Sequence, residues 1–327
     1  MRPGATPLSI FLAALLAAPI AAQPPSPNVL ETVKQAAEAV DSDTQAEDVR
    51  IRKDVDERMT VSVQVAGAGP FRFLVDTGAD RTAVSSAVVA RLGLESGRSG
   101  TLHSMTGASA VQTALVPDLQ LSSRSMRIVD APVLEAEHMG ADGILGTDSL
   151  RSQRVVFDFE KRLMTIVPSE QRAPREDGTI VVTGRLRSGR LIVTNAMAGD
   201  NNIVVVLDTG SEISVGNEAL RRRLGNGGLL KLAGAVELES VTGDKLAGEY
   251  TFLKTLRMGD AQLGNLAIVF ANAHTFRQLG LEDRPALLLG MNGLRAFRKV
   301  SIDFANKKLR LLVPEHGSID GALLAAR

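Results

Sequence analysis

The chain has 327 residues, with 37 basic and 37 acidic side chains, no cysteine, no tryptophan, one tyrosine (Tyr250) and ten phenylalanines. Balanced charge without a basic cluster offers no grip on a polyphosphate backbone, and so few aromatics leave no stacking surface for bases, so no nucleic-acid partner is expected. The missing cysteines exclude disulfides, a thiolate nucleophile and sulfur-ligated zinc. A core must come from the 44% of residues that are hydrophobic, chiefly Val, Leu, Ile and Ala, and the length favours two domains.

At the start of the chain, Arg2, the apolar run Leu8 to Ala18 and the small residues through Ala22 follow the order of a secretory signal peptide, with cleavage expected after Ala22. As a helix, eleven apolar residues rise only ~16 Å, short of the hydrocarbon core. The expected location is the periplasm or the secreted fraction, with no stable membrane anchor once residues 1–22 are removed. Residues 23–54 are expected to form an N-terminal helical or disordered segment. In it Val29, Leu30, Val33, Ala36, Ala37 and Val40 fall at helical spacing before the acidic stretch Asp41 to Asp48.

The rest is organised by an internal repeat. Phe73 to Asp80, FLVDTGAD, is answered by Val206 to Glu212, VLDTGSE, with an Asp-to-Asp offset of 132. Ser104-Met105-Thr106-Gly107 is answered by Ser240-Val241-Thr242-Gly243 at an offset of 136. Ile144-Leu145-Gly146 pairs with Leu288-Leu289-Gly290 at 144, and Phe157-Asp158-Phe159 with Ile302-Asp303-Phe304 at 145. Four matches in one order, with an offset that only grows, indicate two copies of one domain with insertions in the second. The expected lobes are residues 55–168 and 179–314, joined by a charged linker with Pro174 and Gly178 over 169–178 and followed by a tail over 315–327.

Within each copy the signals are mostly strand. Met59, Val61, Val63 and Val65 alternate with polar residues, and Gly67 to Pro70 then turns the chain. The short apolar runs Phe71 to Val75 and Ile203 to Leu207 read as buried strands, each ending at Asp-Thr-Gly. Helix-compatible pieces follow at Ser85 to Leu94 and Asn217 to Leu224, each stopped near a glycine. Hairpins are expected over Val155 to Val167, around Glu160-Lys161, and over Val300 to Val313, around Asn306-Lys307.

A single Asp-Thr-Gly is a weak signal, because Asp and Gly are ordinary turn residues. Its duplication, each time after an apolar strand, needs a reason. Copies packed about a pseudo-two-fold axis can bring equivalent loops together, so that Asp76 faces Asp208. Two such carboxylates share one proton, since both cannot ionise cheaply at close range. The ionised member can take a proton from a water held between them while the protonated member donates to a substrate carbonyl. Glycine (Gly78, Gly210) lets backbones approach at the axis, and threonine (Thr77, Thr209) can hydrogen-bond across it.

At these residues the sequence resembles the retropepsin-like aspartic proteases, in the bacterial secreted form that carries two retropepsin domains in one chain. The resemblance spans most of residues 55 to 314. It implies a mainly β fold of two pseudo-symmetric lobes with short helices and an active site in the cleft between them. It further implies catalytic Asp76 and Asp208, support from Thr77, Gly78, Thr209 and Gly210, and flaps around Thr106-Gly107 and Thr242-Gly243. Ala79 matches the retroviral form of the motif and Ser211 the pepsin form. Where retroviral enzymes commonly have an arginine after the apolar-apolar-Gly stretch, this chain has Thr147 and Met291, then Asp148 and Asn292, which leaves that arginine's ion pair unaccounted for. The implied activity is aspartic endopeptidase, with a peptide or protein as partner, no cofactor, and a monomer whose lobes pair within one chain.

Other readings are weaker. A dehalogenase-type phosphatase needs an acid two residues after its aspartate, where Gly78 and Gly210 stand. His103, His138, His274 and His316 show no i, i+4 pair, so no metal site is expected and they read as surface or loop residues. Arg221 to Arg223 read as a solvated helix face. The serious competitor is a non-catalytic periplasmic peptide-binding protein on the same fold, against which stands the presence of both aspartates. A third possibility is pairing between chains, although a ten-residue linker spans ~30 Å when extended and permits pairing within one.

Overall fold

The computed structural model describes residues 60–121, 124–225, 234–314 and 324–326. The signal peptide, the helix over 28–40 and nearly all of the tail therefore lie outside the described residues.

The first repeat contributes β1 (Thr60–Val65), β2 (Ala68–Val75), β3 (Ala83–Ser85), β4 (Gly100–His103), β5 (Ala108–Val111), β6 (Thr113–Leu121), β7 (Arg124–Leu134) and β8 (Gly143–Leu145). It also holds helices α1 (Ser86–Leu92), α2 (Ala136–Met139) and α3 (Thr147–Leu150). Six of these strands close a barrel in the order β1-β2-β8-β3-β7-β6, and β4 and β5 stand apart as a two-stranded hairpin. Helix α1 shows how local sequence sets a boundary. The Ser85 hydroxyl accepts from the Val88 N–H at 3.2 Å to cap its start, and Gly93 ends it in the left-handed region at φ +59°.

Between the two repeats in sequence come β9 (Gln153–Asp158), β10 (Leu163–Pro168) and β11 (Thr179–Thr183). The second repeat follows with β12 (Arg185–Arg187), β13 (Arg190–Ala198), β14 (Asn201–Leu207), β15 (Ser214–Gly216), β16 (Gly234–Glu239), β17 (Lys245–Met258), β18 (Ala261–Phe270) and β19 (Ala286–Leu289). Its helices are α4 (Glu218–Gly225), α5 (His274–Gln278) and α6 (Met291–Leu294). The chain ends its described course with β20 (Lys299–Asp303), β21 (Lys308–Leu312) and β22 (Leu324–Ala326). The second lobe's sheet runs β12-β13-β14-β19-β15-β18-β17-β16, and an added β13–β17 pairing bends it back on itself. In both lobes one strand pairing recurs. β2 runs parallel to β8, which is antiparallel to β3, and β14 runs parallel to β19, which is antiparallel to β15.

The lobes are joined by a five-stranded sheet in the order β10-β9-β20-β21-β11, in which β9 of the first repeat pairs with β20 of the second from Lys299↔Asp158 to Asp303↔Arg154. Both sequence-expected hairpins are in this sheet, as β9–β10 and β20–β21. The main apolar core runs without a break from Val63 and Phe73, through Phe157, Val300 and Phe304, to Val205 and Leu289. Each fully buried Leu, Ile or Phe contributes roughly 1.5–3 kcal/mol relative to exposure, so this continuity couples the lobes energetically.

Candidate active site

Each Asp-Thr-Gly loop leaves a buried strand (β2 or β14) and is pinned to the short strand beside it. The Asp76 N–H donates to the Leu145 carbonyl and the Asp208 N–H to that of Leu289, each at 3.0 Å. The Thr147 N–H then donates to Ala79 O and the Met291 N–H to Ser211 O, both at 2.8 Å. The apolar-apolar-Gly strands thus clamp the entry and the exit of both loops.

The threonines form a reciprocal lock across the pseudo-two-fold axis. The Thr77 hydroxyl donates to Leu207 O at 2.9 Å and accepts from the Thr209 N–H at 3.1 Å. The Thr209 hydroxyl donates to Val75 O at 2.6 Å and accepts from the Thr77 N–H at 3.1 Å. Both side chains are buried, so no water competes for these bonds. The glycines supply closeness: a Cβ on Gly78 would collide with the Asp208 carboxylate, and one on Gly210 with that of Asp76. Each aspartate therefore faces the backbone of the opposite loop, and the structure brings together all six residues picked out at the two loops.

The Asp76 carboxylate accepts from the Gly78 and Ala79 N–H groups at 2.7 and 3.1 Å. Asp208 is pushed up to about 7, first by burial and then by the neighbouring charge of Asp76. Arg190 and the N–H groups of Gly210 and Ser211 oppose that rise. Such a carboxylate holds its proton at pH values where an ordinary aspartate has lost it.

The four residues expected in flaps, Thr106, Gly107, Thr242 and Gly243, lie at hairpin tips. The β4–β5 tip is closed by Ser104 N–H to Gly107 O at 2.8 Å, and the β16–β17 tip by Ser240 N–H to Asp244 O at 2.9 Å. The tips touch where the Thr106 hydroxyl donates to the Ser240 hydroxyl at 3.4 Å. Each reaches the opposite lobe: Met105 packs on the second lobe's apolar cluster and Val241 on the first lobe's.

Arg190 was not singled out by the sequence reading. It is 7% exposed, its Nε donates to Gly78 O at 2.6 Å, and its guanidinium pairs with Asp80 at 3.0 Å, so the second lobe grips the first lobe's loop. The equivalent position in the second loop, Glu212, pairs instead with Arg295 of its own lobe at 2.8 Å. These two pairs occupy the ends of the two loops. A sequence signal for Arg190 existed: Arg58 precedes Asp76 by the same 18 residues that separate Arg190 from Asp208. Asp148 and Asn292 stand in equivalent places. Asp148 accepts from the Thr82 hydroxyl at 2.7 Å, and Asn292 accepts from the Ser214 hydroxyl at 2.8 Å.

The histidines are scattered in sequence, yet three described ones gather near these hairpin tips. His103 meets His274 at 3.0 Å, and His138 meets Glu239 at 3.3 Å. Among the described residues no group of three or more His, Asp or Glu side chains is placed to hold a metal ion. Arg221 to Arg223 are exposed on α4, with Arg221 paired to Glu249 and Glu218.

Residues 61–152 match the family described as "gag-polyprotein putative aspartyl protease", and residues 194–292 match the family described as "Aspartyl protease". The chain carries two aspartyl protease domains in tandem, which supports aspartic protease activity in general. Among solved structures, a retropepsin-like aspartic protease from Rickettsia conorii is similar at 24% identity and a TM-score of 0.30, covering 42% of this chain and 100% of that one. The comparison with curated proteins returned no match.

Proposed function

We propose that the protein is an aspartic endopeptidase in which Asp76 and Asp208 share a proton and activate one water against a peptide carbonyl. The carrying observation is the elevation of Asp208 by burial and by Asp76, in loops whose glycines press each backbone against the opposite carboxylate. In this scheme Asp208 enters protonated and donates to the carbonyl oxygen. Asp76, ionised and held by two N–H groups, takes the proton from water. The tetrahedral intermediate collapses as a proton reaches the leaving nitrogen. An extended peptide lies in the cleft between the lobes, under the two hairpin flaps, adding main-chain hydrogen bonds to them as an extra strand would. The protein acts as a monomer, exported by its N-terminal signal, with Thr77 and Thr209 holding the pair in register.

The test is cleavage of a peptide library by the mature protein from acidic to neutral pH, beside Asp76→Asn and Asp208→Asn. Each variant is expected to lose turnover by at least about a thousandfold. Full activity in either would sink the shared-dyad mechanism, and a wild type that binds peptides without cutting them would move the chain to the peptide-binding reading.

A further inference from the structure

The two flaps are related by the repeat, but their fastenings are chemically different. His103 and Glu239 occupy equivalent places at the base of each flap tip, separated by 136 residues, and His138 and His274 occupy equivalent places near α2 and α5 at the same offset. In space they pair crosswise. His103 on β4 of the first lobe lies against His274 of the second, with Nδ1 and Nε2 3.0 Å apart and the rings stacked at 5.2 Å. Glu239 on β16 of the second lobe lies against His138 of the first, at 3.3 Å. Backbone contacts reinforce both. The His274 N–H donates to Met105 O at the first tip, at 2.8 Å. Gly243, at φ +78°, brings the second tip so near His138 that a Cβ there would sit 2.6 Å from the imidazole.

We infer that these pairs are flap clasps of opposite acid response: the His103–His274 clasp lets go when both rings are protonated, while the Glu239–His138 clasp gains strength from protonation of its single ring. In the first clasp the Gln278 amide nitrogen also points at His274 Nε2, at 3.1 Å, and an amide nitrogen only donates. That assigns Nε2 as the acceptor and makes His103 Nδ1 the donor. One proton can be accommodated on His103 Nε2, away from the contact. A second proton must enter His274 Nε2, where it sets N–H against N–H and cation against cation.

The other charged group facing His274 is Arg277 on the same helix, which also disfavours the imidazolium. Burial first, then His103 and Arg277, hold His274 below the ordinary histidine value. An ordinary imidazole titrates near 6.5, so release falls on the acid side of about pH 6.5. The groups facing His138 are Glu239, Glu137 at 3.8 Å and the tip of the second flap. A protonated imidazole there gains a charge-assisted bond, kept until the carboxylate itself is neutralised. On the acid side of about pH 6.5 the first flap is free while the second stays fastened by its ion pair. That makes β4–β5 the entry gate for substrate, an assignment that rests on reading these hairpins as protease flaps.

The chain has no cysteine, so paired spin labels can be placed without background. One pair, Ala110→Cys with Asp260→Cys, reports the first flap against the second lobe. The other, Ala90→Cys with Ala235→Cys, reports the second flap against the first lobe. On lowering the pH from 7 to 5, the clasped-distance population of the first pair is expected to fall by at least about fivefold, from loss of the bond and charge repulsion. The second pair should hold or narrow. His103→Gln and His274→Gln, which bond without charging, should each abolish the response. Distances that do not move, that lengthen together in both pairs, or that still respond in both glutamine variants would overturn the clasp assignment. The labels need no substrate and no turnover, so these outcomes are separate from whether the enzyme cleaves peptides.

Discussion

At the scale of single residues, the dyad ties chemistry to stability. Asp208 is raised in the folded protein to about 7, whereas an aspartate in an unfolded chain titrates near 3.9. Between those values the folded state keeps a proton that the unfolded state has released, so stability falls as pH rises through that window. The contribution is intact below about pH 4 and spent above about pH 7. Asp208→Asn removes the ionisation, so the variant is expected to melt near the wild type at pH 4 and above it at pH 8, a gap opening across the window. Differential scanning calorimetry from pH 4 to 8 would check this. A gap that stays constant with rising pH would mean that Asp208 gives up its proton as readily folded as unfolded. Both the aspartates and the threonines behind them could be read in the sequence, because a duplicated tripeptide after two apolar strands marks one place twice. Arg190 is harder to read, because its one sequence signal, Arg58 at the same distance before Asp76, lies outside the repeated motifs, and its crosswise reach to Asp80 is visible only in the fold.

Elements show a different boundary to what sequence carries. The strands Phe71 to Val75 and Ile203 to Leu207 lie within β2 and β14, and the glycine-stopped helices correspond to α1 and α4. Strand partners were hidden, since alternation of apolar and polar residues records a buried face but not the neighbour along the hydrogen bonds. So the pairing of β9 with β20, 145 residues apart, had no local signature even though both hairpins did. The conserved place of Asp158 and Asp303 within the repeat also gains a cause: each caps its hairpin turn, accepting from the Lys161 N–H at 2.9 Å and the Asn306 N–H at 3.0 Å. Asp303 is 1% exposed and also faces Arg154 and Arg310 at 3.9 and 3.8 Å. Asp303→Ala strips the carboxylate from the buried Arg154, and breaking such a pair by one partner costs roughly 3–5 kcal/mol. The midpoint of urea unfolding should drop accordingly, with Asp303→Asn, which keeps a cap oxygen, falling less. Equal losses in the two variants would show that the cap oxygen contributes nothing and the charge at Asp303 everything.

On the scale of the whole molecule, three joints hold the lobes together: the threonine lock, the Arg190 grip on the first loop, and the shared sheet. The covalent linker over 169–178 is a fourth, and it is tied down rather than slack. Gln171 O accepts from Arg154 at 2.7 Å and Glu176 pairs with Lys299 at 2.8 Å. In a flexible tether the linker's main service would be effective concentration, and cutting it would release the halves on dilution. Here β9–β20 pairing and the continuous core remain after a cut, since neither passes through residues 169–178. A specific protease site inserted between Gln171 and Arg175 should therefore, once cleaved, leave one particle on gel filtration with most of its peptide-cleaving activity. The same cleaved protein, unfolded in urea and then diluted to low concentration, should recover far less than the uncut chain, because the lobes must then find each other as two molecules. Separation of the halves on cutting alone would move the burden of pairing from the shared sheet to the linker.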